Sequence, residues 1–137
     1  MYQKDYILRM IEMLGEILRA IFSKIQTGKF HEAEETLNEI YLTFLRKDAA
    51  FFQQIPSEDL TKTLIAEHNF TNGHLEVLAE LLYAEAELLV AKNKEAESLP
   101  YYQKSLLLFE YIDESYRTFS EDRLNKMKTI REKILPD

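Results

Sequence analysis

Apolar residues recur at intervals of three and four along the first part of the chain. The series is Met10, Ile11, Leu14, Ile17, Leu18, Ile21, Phe22 and Ile25. This spacing places the series on one face of an α-helix, while Glu12, Glu16 and Arg19 fall on the opposite face. We therefore predict an amphipathic helix over residues 3–26.

A second helix follows closely. Gly28 is expected to end the first helix, because glycine accepts the left-handed conformation common after a helix C-terminus. Apolar spacing resumes over residues 30–46. So short a connection makes the two helices antiparallel neighbours. Segment 47–56 is predicted to be a connector that contains the adjacent aromatic residues Phe51 and Phe52.

Four further helices are predicted downstream. Ser57 and Ser120, each followed by two acidic residues, are suited to cap helix N-termini. Pro100 must lie in a first turn or mark a kink, because proline has no N–H and clashes with the preceding turn. The predicted helices cover residues 57–68, 74–92, 94–116 and, after Ser120, the segment to about residue 134. No segment predicts a strand, so the fold class is all-α with about six helices.

The junctions between the long helices share a pattern. KFHEAE at 29–34 is echoed by KNKEAE at 92–97, 63 residues later. Repetition of a helix pair indicates stacked antiparallel hairpins that form a short solenoid or bundle. We predict one domain over residues 1–137, with a hairpin at 1–47, a connector helix at 48–70, a hairpin at 71–117 and a capping helix at 118–137.

Two segments resemble the tetratricopeptide repeat. GKFHEAEETL at 28–37 resembles the turn and second helix of that repeat, with Ala33 where two helices touch closely. YYQKSL at 101–106 resembles the later part of the same helix, with Tyr102 and Ser105 at its aromatic and small positions. The chain departs from the repeat in its spacing and lacks the closing proline. The resemblance implies a tetratricopeptide-like fold.

A second resemblance is to a family of small bacterial proteins of unassigned function. It is carried by QKDYILRMIEMLGEILRAI, GKFHEAEETL and LAELLYAEAELL. The described fold of that family is tetratricopeptide-like. The resemblance implies a bacterial cytosolic protein and adds no catalytic residues.

Composition and charge narrow the possible kinds of fold and partner further. Three glycines and three prolines in 137 residues favour long helices with few turns. The chain has no cysteine, which excludes disulfides and thiol chemistry. Its net charge of −7 disfavours nucleic acid, which selects clustered Lys and Arg. Neither a signal peptide nor an apolar run of the ~18–20 residues of a membrane span is expected. We therefore expect a cytoplasmic protein without nucleic-acid or membrane partners.

The sequence contains no strong candidate for a catalytic or metal-binding site. The scattered histidines, His31, His68 and His74, predict no metal site. Two acidic clusters superficially resemble those of all-α, Mg²⁺-dependent nucleotide pyrophosphohydrolases: Glu34, Glu35 and Glu39, and Glu110 with Asp113. The third carboxylate of the first cluster comes one residue too late for the Glu-Glu-x-x-Glu pattern of those enzymes. Solvated helix faces are the simpler interpretation, so we expect no enzyme activity, catalytic residue, metal or cofactor.

A binding surface is the main functional prediction. If the first helix of each hairpin lines a concave side, as in related repeats, that side carries Glu12, Glu16, Arg19, Glu80, Tyr83 and Glu87. This acidic surface predicts a protein or peptide partner that is basic or apolar. Packing at helix junctions is the simpler role for most of the tyrosines. A helical bundle that binds a small ligand is a further alternative for the function of the protein.

Self-association to a homodimer is also predicted. Leu8 and Met13 extend the apolar surface of the first helix beyond one stripe, and Phe51 and Phe52 add apolar surface in the connector.

Overall fold

The computed structural model describes residues 2–116 and 119–135, with side chains from residue 8 onwards. Within these ranges all regular secondary structure is helical, which confirms the predicted all-α class. The helices are α1 Tyr2–Gln26, α2 Phe30–Ile40, α3 Ala49–Gln53, α4 Leu60–His68, α5 Asn72–Ala91, α6 Glu95–Tyr116 and α7 Glu121–Ile134. A π-helical turn, Tyr41–Leu45, extends α2, and a 3₁₀ turn, Ser57–Asp59, precedes α4. The predicted domain limits at positions 1, 117, 118 and 137 lie outside the described residues.

Helix α5 is the centre of the molecule. It packs against α1, α2, the π-helical turn and α6, while α6 also packs against α4 and α7. Apolar residues such as Leu75, Leu78, Leu81 and Leu82 are fully buried along it. A helix that is apolar on most sides must be covered on most sides. None of the described helices combines the length and apolar character needed to cross a membrane.

The turns of the two long hairpins have the same geometry. Gly28 and Asn93 both adopt left-handed conformations, with φ of 78° and 63°. The next residue in each case donates its backbone N–H five residues back, from Lys29 to Lys24 and from Lys94 to Leu89, both at 2.8 Å. Such bonds satisfy carbonyls at a helix C-terminus. Structurally equivalent positions of the two turns are therefore 65 residues apart, whereas the repeated sequence motif has an offset of 63 residues.

The segment predicted as a connector contains a helix of its own. The carboxylate of Asp48 accepts the Phe51 N–H at 2.9 Å and caps α3. Phe52 is fully buried and lies against Tyr41 and Phe70, with ring centroids 6.2 and 6.0 Å apart. Burial of Phe52 removes it from the surface on which the self-association hypothesis had placed it.

The Lys104 ammonium from α6 fixes the end of α3. It donates to the carbonyl oxygens of Phe52, Gln53 and Ile55 at 3.2, 2.6 and 2.6 Å, and Lys104 is only 5% exposed. The last carbonyls of a helix have no partner within the helix, and the ammonium supplies one.

Three residues were used to predict where helices begin or bend: Ser120, Ser57 and Pro100. Ser120 caps α7 as predicted, accepting the Arg123 N–H at 3.2 Å. Ser57 is not a cap, because it is the first residue of the 3₁₀ turn and makes no side-chain capping bond. Pro100 is the sixth residue of α6, beyond the predicted first turn, and is exposed. Without an N–H, it leaves the Ala96 carbonyl without its helical partner.

Helix α5 starts two residues before the prediction. Thr71 is its N-cap and accepts the His74 N–H, while the Thr71 N–H donates to Nδ1 of His74 at 3.0 Å. Burial lowers the pKa of His74, which favours the neutral, accepting imidazole. This histidine therefore has a structural role in the described fold.

Candidate functional site

A groove runs between α1 and α7, with α5 as its floor. It consists of two cavities of about 380 and 280 Å³, which share Phe22 of α1 and Lys126 of α7 as lining residues. We call these two cavities together the α1–α7 groove. The larger cavity reaches from Ile11 on α1 to Asp122 on α7. The first helices of both long hairpins thus contribute to one surface together with the last helix.

The floor is a single stripe of α5. It consists of Glu76, Glu80, Tyr83 and Glu87, spaced by four, three and four residues. Residues at this spacing lie along one helix face. The other sides of α5 are occupied by the core, so this face is the one that α5 presents to the groove.

A nearly buried ion pair of the groove joins Glu80 to Lys126. Both side chains are nearly buried, the carboxylate of Glu80 accepts from the Lys126 ammonium, and the ammonium also lies 3.0 Å from the carboxylate of Asp122. It sits 5.6 Å from the ring centroid of Tyr83, a cation–π distance. Burial raises the pKa of Glu80, and the charge of Lys126 opposes this effect.

Aromatic rings continue the floor towards the smaller cavity. Tyr83 packs edge-on against Phe22 of α1 and Tyr102 of α6, with centroids 6.2 and 6.1 Å apart. The hydroxyl of the fully buried Tyr102 donates to Glu87. Burial, with the charge of Glu87 added, raises the pKa of Tyr83 to about 12. Tyr83 and Tyr102 therefore remain neutral near pH 7, and Tyr102 orients the Glu87 carboxylate.

The structure brings together four of the six residues predicted for the concave side. Arg19 and Glu80 line the larger cavity, and Tyr83 and Glu87 line the smaller one. Glu12 and Glu16 are exposed on α1 and line neither cavity. They lie further around α1 than the groove wall, which Arg19 reaches because its guanidinium lies over Gly15.

Several groove residues were absent from the sequence prediction. Glu76 lies four residues before Glu80, a spacing that could have revealed it. Gly15 and Ile11 lie on the groove side of α1. The contribution of α7, through Asp122 and Lys126, had no sequence signal, because it depends on how the last helix returns across α5.

Most carboxylates of the acidic clusters considered for Mg²⁺ lie beside a basic side chain in the structure. Glu34 pairs with Lys92 at 3.2 Å, and Glu35 lies 3.4 Å from the imidazole of His31. Asp113 pairs with Arg123 at 2.5 Å and Glu110 with Arg131 at 2.9 Å. In the part of the chain that the structure describes, no three Asp, Glu or His side chains are arranged to hold a metal ion.

Comparison of the chain with family models, with curated proteins and with solved structures finds no match. The groove is therefore the feature of this protein from which a function can be inferred.

Proposed function

We propose that this protein is a non-enzymatic interaction module that binds a protein segment in the α1–α7 groove. The observation that carries the proposal is the groove floor, where Glu80, Tyr83 and Glu87 combine charge, an aromatic ring and a hydrogen-bonded carboxylate. Interfaces favour aromatic residues beside polar groups of fixed orientation. A groove along three helices suits an elongated ligand better than a small compact one.

The tetratricopeptide-like identity is part of the same proposal. The first helices of both long hairpins, α1 and α5, line one groove together with α7, as expected of a short solenoid that binds on its concave side. The bacterial and cytoplasmic assignments also belong to the proposal, because they depend on the family resemblance.

The proposal is tested by selecting random 16-residue peptides, displayed on phage, against three forms of the protein. Gly15→Leu puts a bulky side chain into the groove wall without changing charge. Ala20→Leu is the matched control, since Ala20 is exposed on α1 outside the groove lining. We expect peptides that bind the wild type and Ala20→Leu but not Gly15→Leu. Failure to select any peptide with this pattern contradicts the proposed function.

Self-association is a second candidate, favoured by one observation. Leu8 and Met13 on α1 are 51% and 52% exposed. Sedimentation at micromolar concentration measures it, and a Leu8→Ser/Met13→Ser variant should shift a dimer to monomer. A strictly monomeric wild type excludes this candidate and leaves the groove proposal in place.

A further inference from the structure

We infer, on the basis of the proposed function, that the segment bound in the α1–α7 groove carries Lys or Arg side chains beside apolar side chains. The groove supplies more negative than positive charge. Its acidic lining residues are Glu76, Glu80, Glu87 and Asp122, and its basic ones are Arg19 and Lys126. Charge complementarity selects partners and excludes those of the same sign.

Two carboxylates of the floor, Glu76 and Glu80, are already partly removed from water. Burial raises the pKa of Glu76, and the charges of Arg123 and Lys126 only partly oppose it. Burial likewise raises the pKa of Glu80 in spite of its contact with Lys126. A carboxylate that has lost part of its hydration gains from an additional nearby cation more than an exposed one does.

Lys126 shows, within the molecule, how this floor accommodates an ammonium group. Its Nζ contacts the carboxylates of Glu80 and Asp122 and lies over the ring of Tyr83. Carboxylates beside an aromatic face are the groups that stabilise a desolvated cation. A partner cation near Glu87 would find the same combination, because Tyr83 also lines that cavity and Tyr102 holds the Glu87 carboxylate.

The spacing of the floor limits how a partner fits. Glu76 and Glu87 are eleven residues apart on α5, which corresponds to about 16 Å at the rise of an α-helix. An extended peptide covers that distance in about five residues. A partner with two cations about five residues apart in an extended segment therefore matches both ends of the floor.

The wall of α1 supplies the apolar half of the site. Ile11, Phe22 and Ile25 are only partly buried there. Between them, Gly15 interrupts the wall within a long helix, where glycine is less favourable than alanine. A Cβ at Gly15 would meet only the Arg19 guanidinium, at 3.6 Å, so internal packing does not require glycine. The gap leaves room for an apolar partner side chain.

The test uses the peptides selected on the wild-type protein, synthesised with a fluorophore and measured by anisotropy. Affinities are compared for the wild type, for Glu76→Gln/Glu87→Gln in the groove and for Glu67→Gln/Glu114→Gln. The last two acidic residues are exposed and lie outside the groove lining, so this control removes the same charge elsewhere. Circular dichroism melts verify that every variant is folded.

We expect the selected peptides to combine Lys or Arg with apolar residues. Their affinity should fall about tenfold or more in the groove variant, weaken with added salt and change less than about twofold in the control. Neutral or acidic peptides whose binding is abolished by Gly15→Leu overturn this inference while supporting the proposed function. Absence of any Gly15→Leu-sensitive peptide instead contradicts the proposed function. Spermidine, a cation without apolar side chains, overturns the apolar half of the inference if it binds as tightly as the peptides.

Discussion

Glu85 is a largely buried carboxyl group whose surroundings disfavour ionisation. It lies on α5 among Glu34, Tyr41, Tyr101 and Lys92. Burial and the charge of Glu34 raise its pKa from 4.5 to about 7, and Lys92 opposes them. The folded state therefore binds this proton more tightly than the unfolded state does.

We predict that this proton makes stability depend on pH. Because the folded pKa is the higher one, the contribution of Glu85 is complete below pH 4.5 and is lost as the pH rises through about 7. Urea unfolding at pH 5 and pH 8 should show a fall of up to about 3 kcal/mol from this group. Glu85→Gln should remove most of the fall, and Glu67→Gln, at an exposed position on α4, should keep it. An equal fall in both variants contradicts the assignment.

Two fully buried tyrosines provide a matched comparison of hydroxyl groups. The Tyr41 hydroxyl has no hydrogen-bond partner among the described residues, whereas that of Tyr102 donates to Glu87. Tyr41→Phe should be neutral or stabilise the protein by about 1 kcal/mol, and Tyr102→Phe should destabilise it by roughly 1–3 kcal/mol. Thermal unfolding of both variants measures the difference. A larger loss for Tyr41→Phe would mean that its hydroxyl is paired.

Individual groove residues could be predicted from the sequence, but the residues that they contact could not. Tyr83 and Glu87 followed from the predicted first helix of the second hairpin, and both line the groove. The contact of Glu80 with Lys126 joins residues 46 positions apart. Periodicity within a helix contains no information on such a contact.

At the scale of the element, local signals predicted most boundaries. Gly28 adopts the left-handed conformation after α1, and Ser120 caps the N-terminus of α7, as predicted. The π-helical turn Tyr41–Leu45 was predicted as ordinary helix, because a single π turn within a helix changes the hydrogen-bond pattern and leaves the apolar spacing recognisably helical. Helix α3 was missed because its five residues are too few for a period and it is stabilised by Lys104, which lies far away in sequence.

We predict that Lys104 is required for the ordered end of α3. Lys104→Met keeps an apolar stem but removes the donor to the Gln53 and Ile55 carbonyls, which should cost roughly 2–3 kcal/mol. The Phe52 carbonyl keeps the N–H of Ile55 as a donor. Hydrogen exchange should accelerate in segment 49–55 before other regions. Lys128→Met, at an exposed position of α7, serves as the control. Unchanged exchange in segment 49–55 would show that the ammonium does not hold this segment.

At the scale of the whole molecule, the groove depends on the position of α7. The last helix is joined to α5 through Lys126 and Glu80 and to α6 through Arg123 and Asp113. The predicted capping helix therefore forms one wall of the site as well as covering the end of the bundle. The sequence predicted that α7 exists, but its docking depends on the burial of Met127 and Ile130 together with long-range ion pairs that no local pattern specifies.

We propose the α1–α7 groove as the binding surface of this protein. The most direct test of this proposal is a titration of ¹⁵N-labelled protein with a selected peptide, followed by amide chemical shifts. We predict that the shifts concentrate at Gly15, Arg19, Tyr83 and Lys126, on three different helices, and that they disappear in Gly15→Leu. Shifts confined to the outer faces of α2 and α6, with the groove amides unchanged, would contradict it.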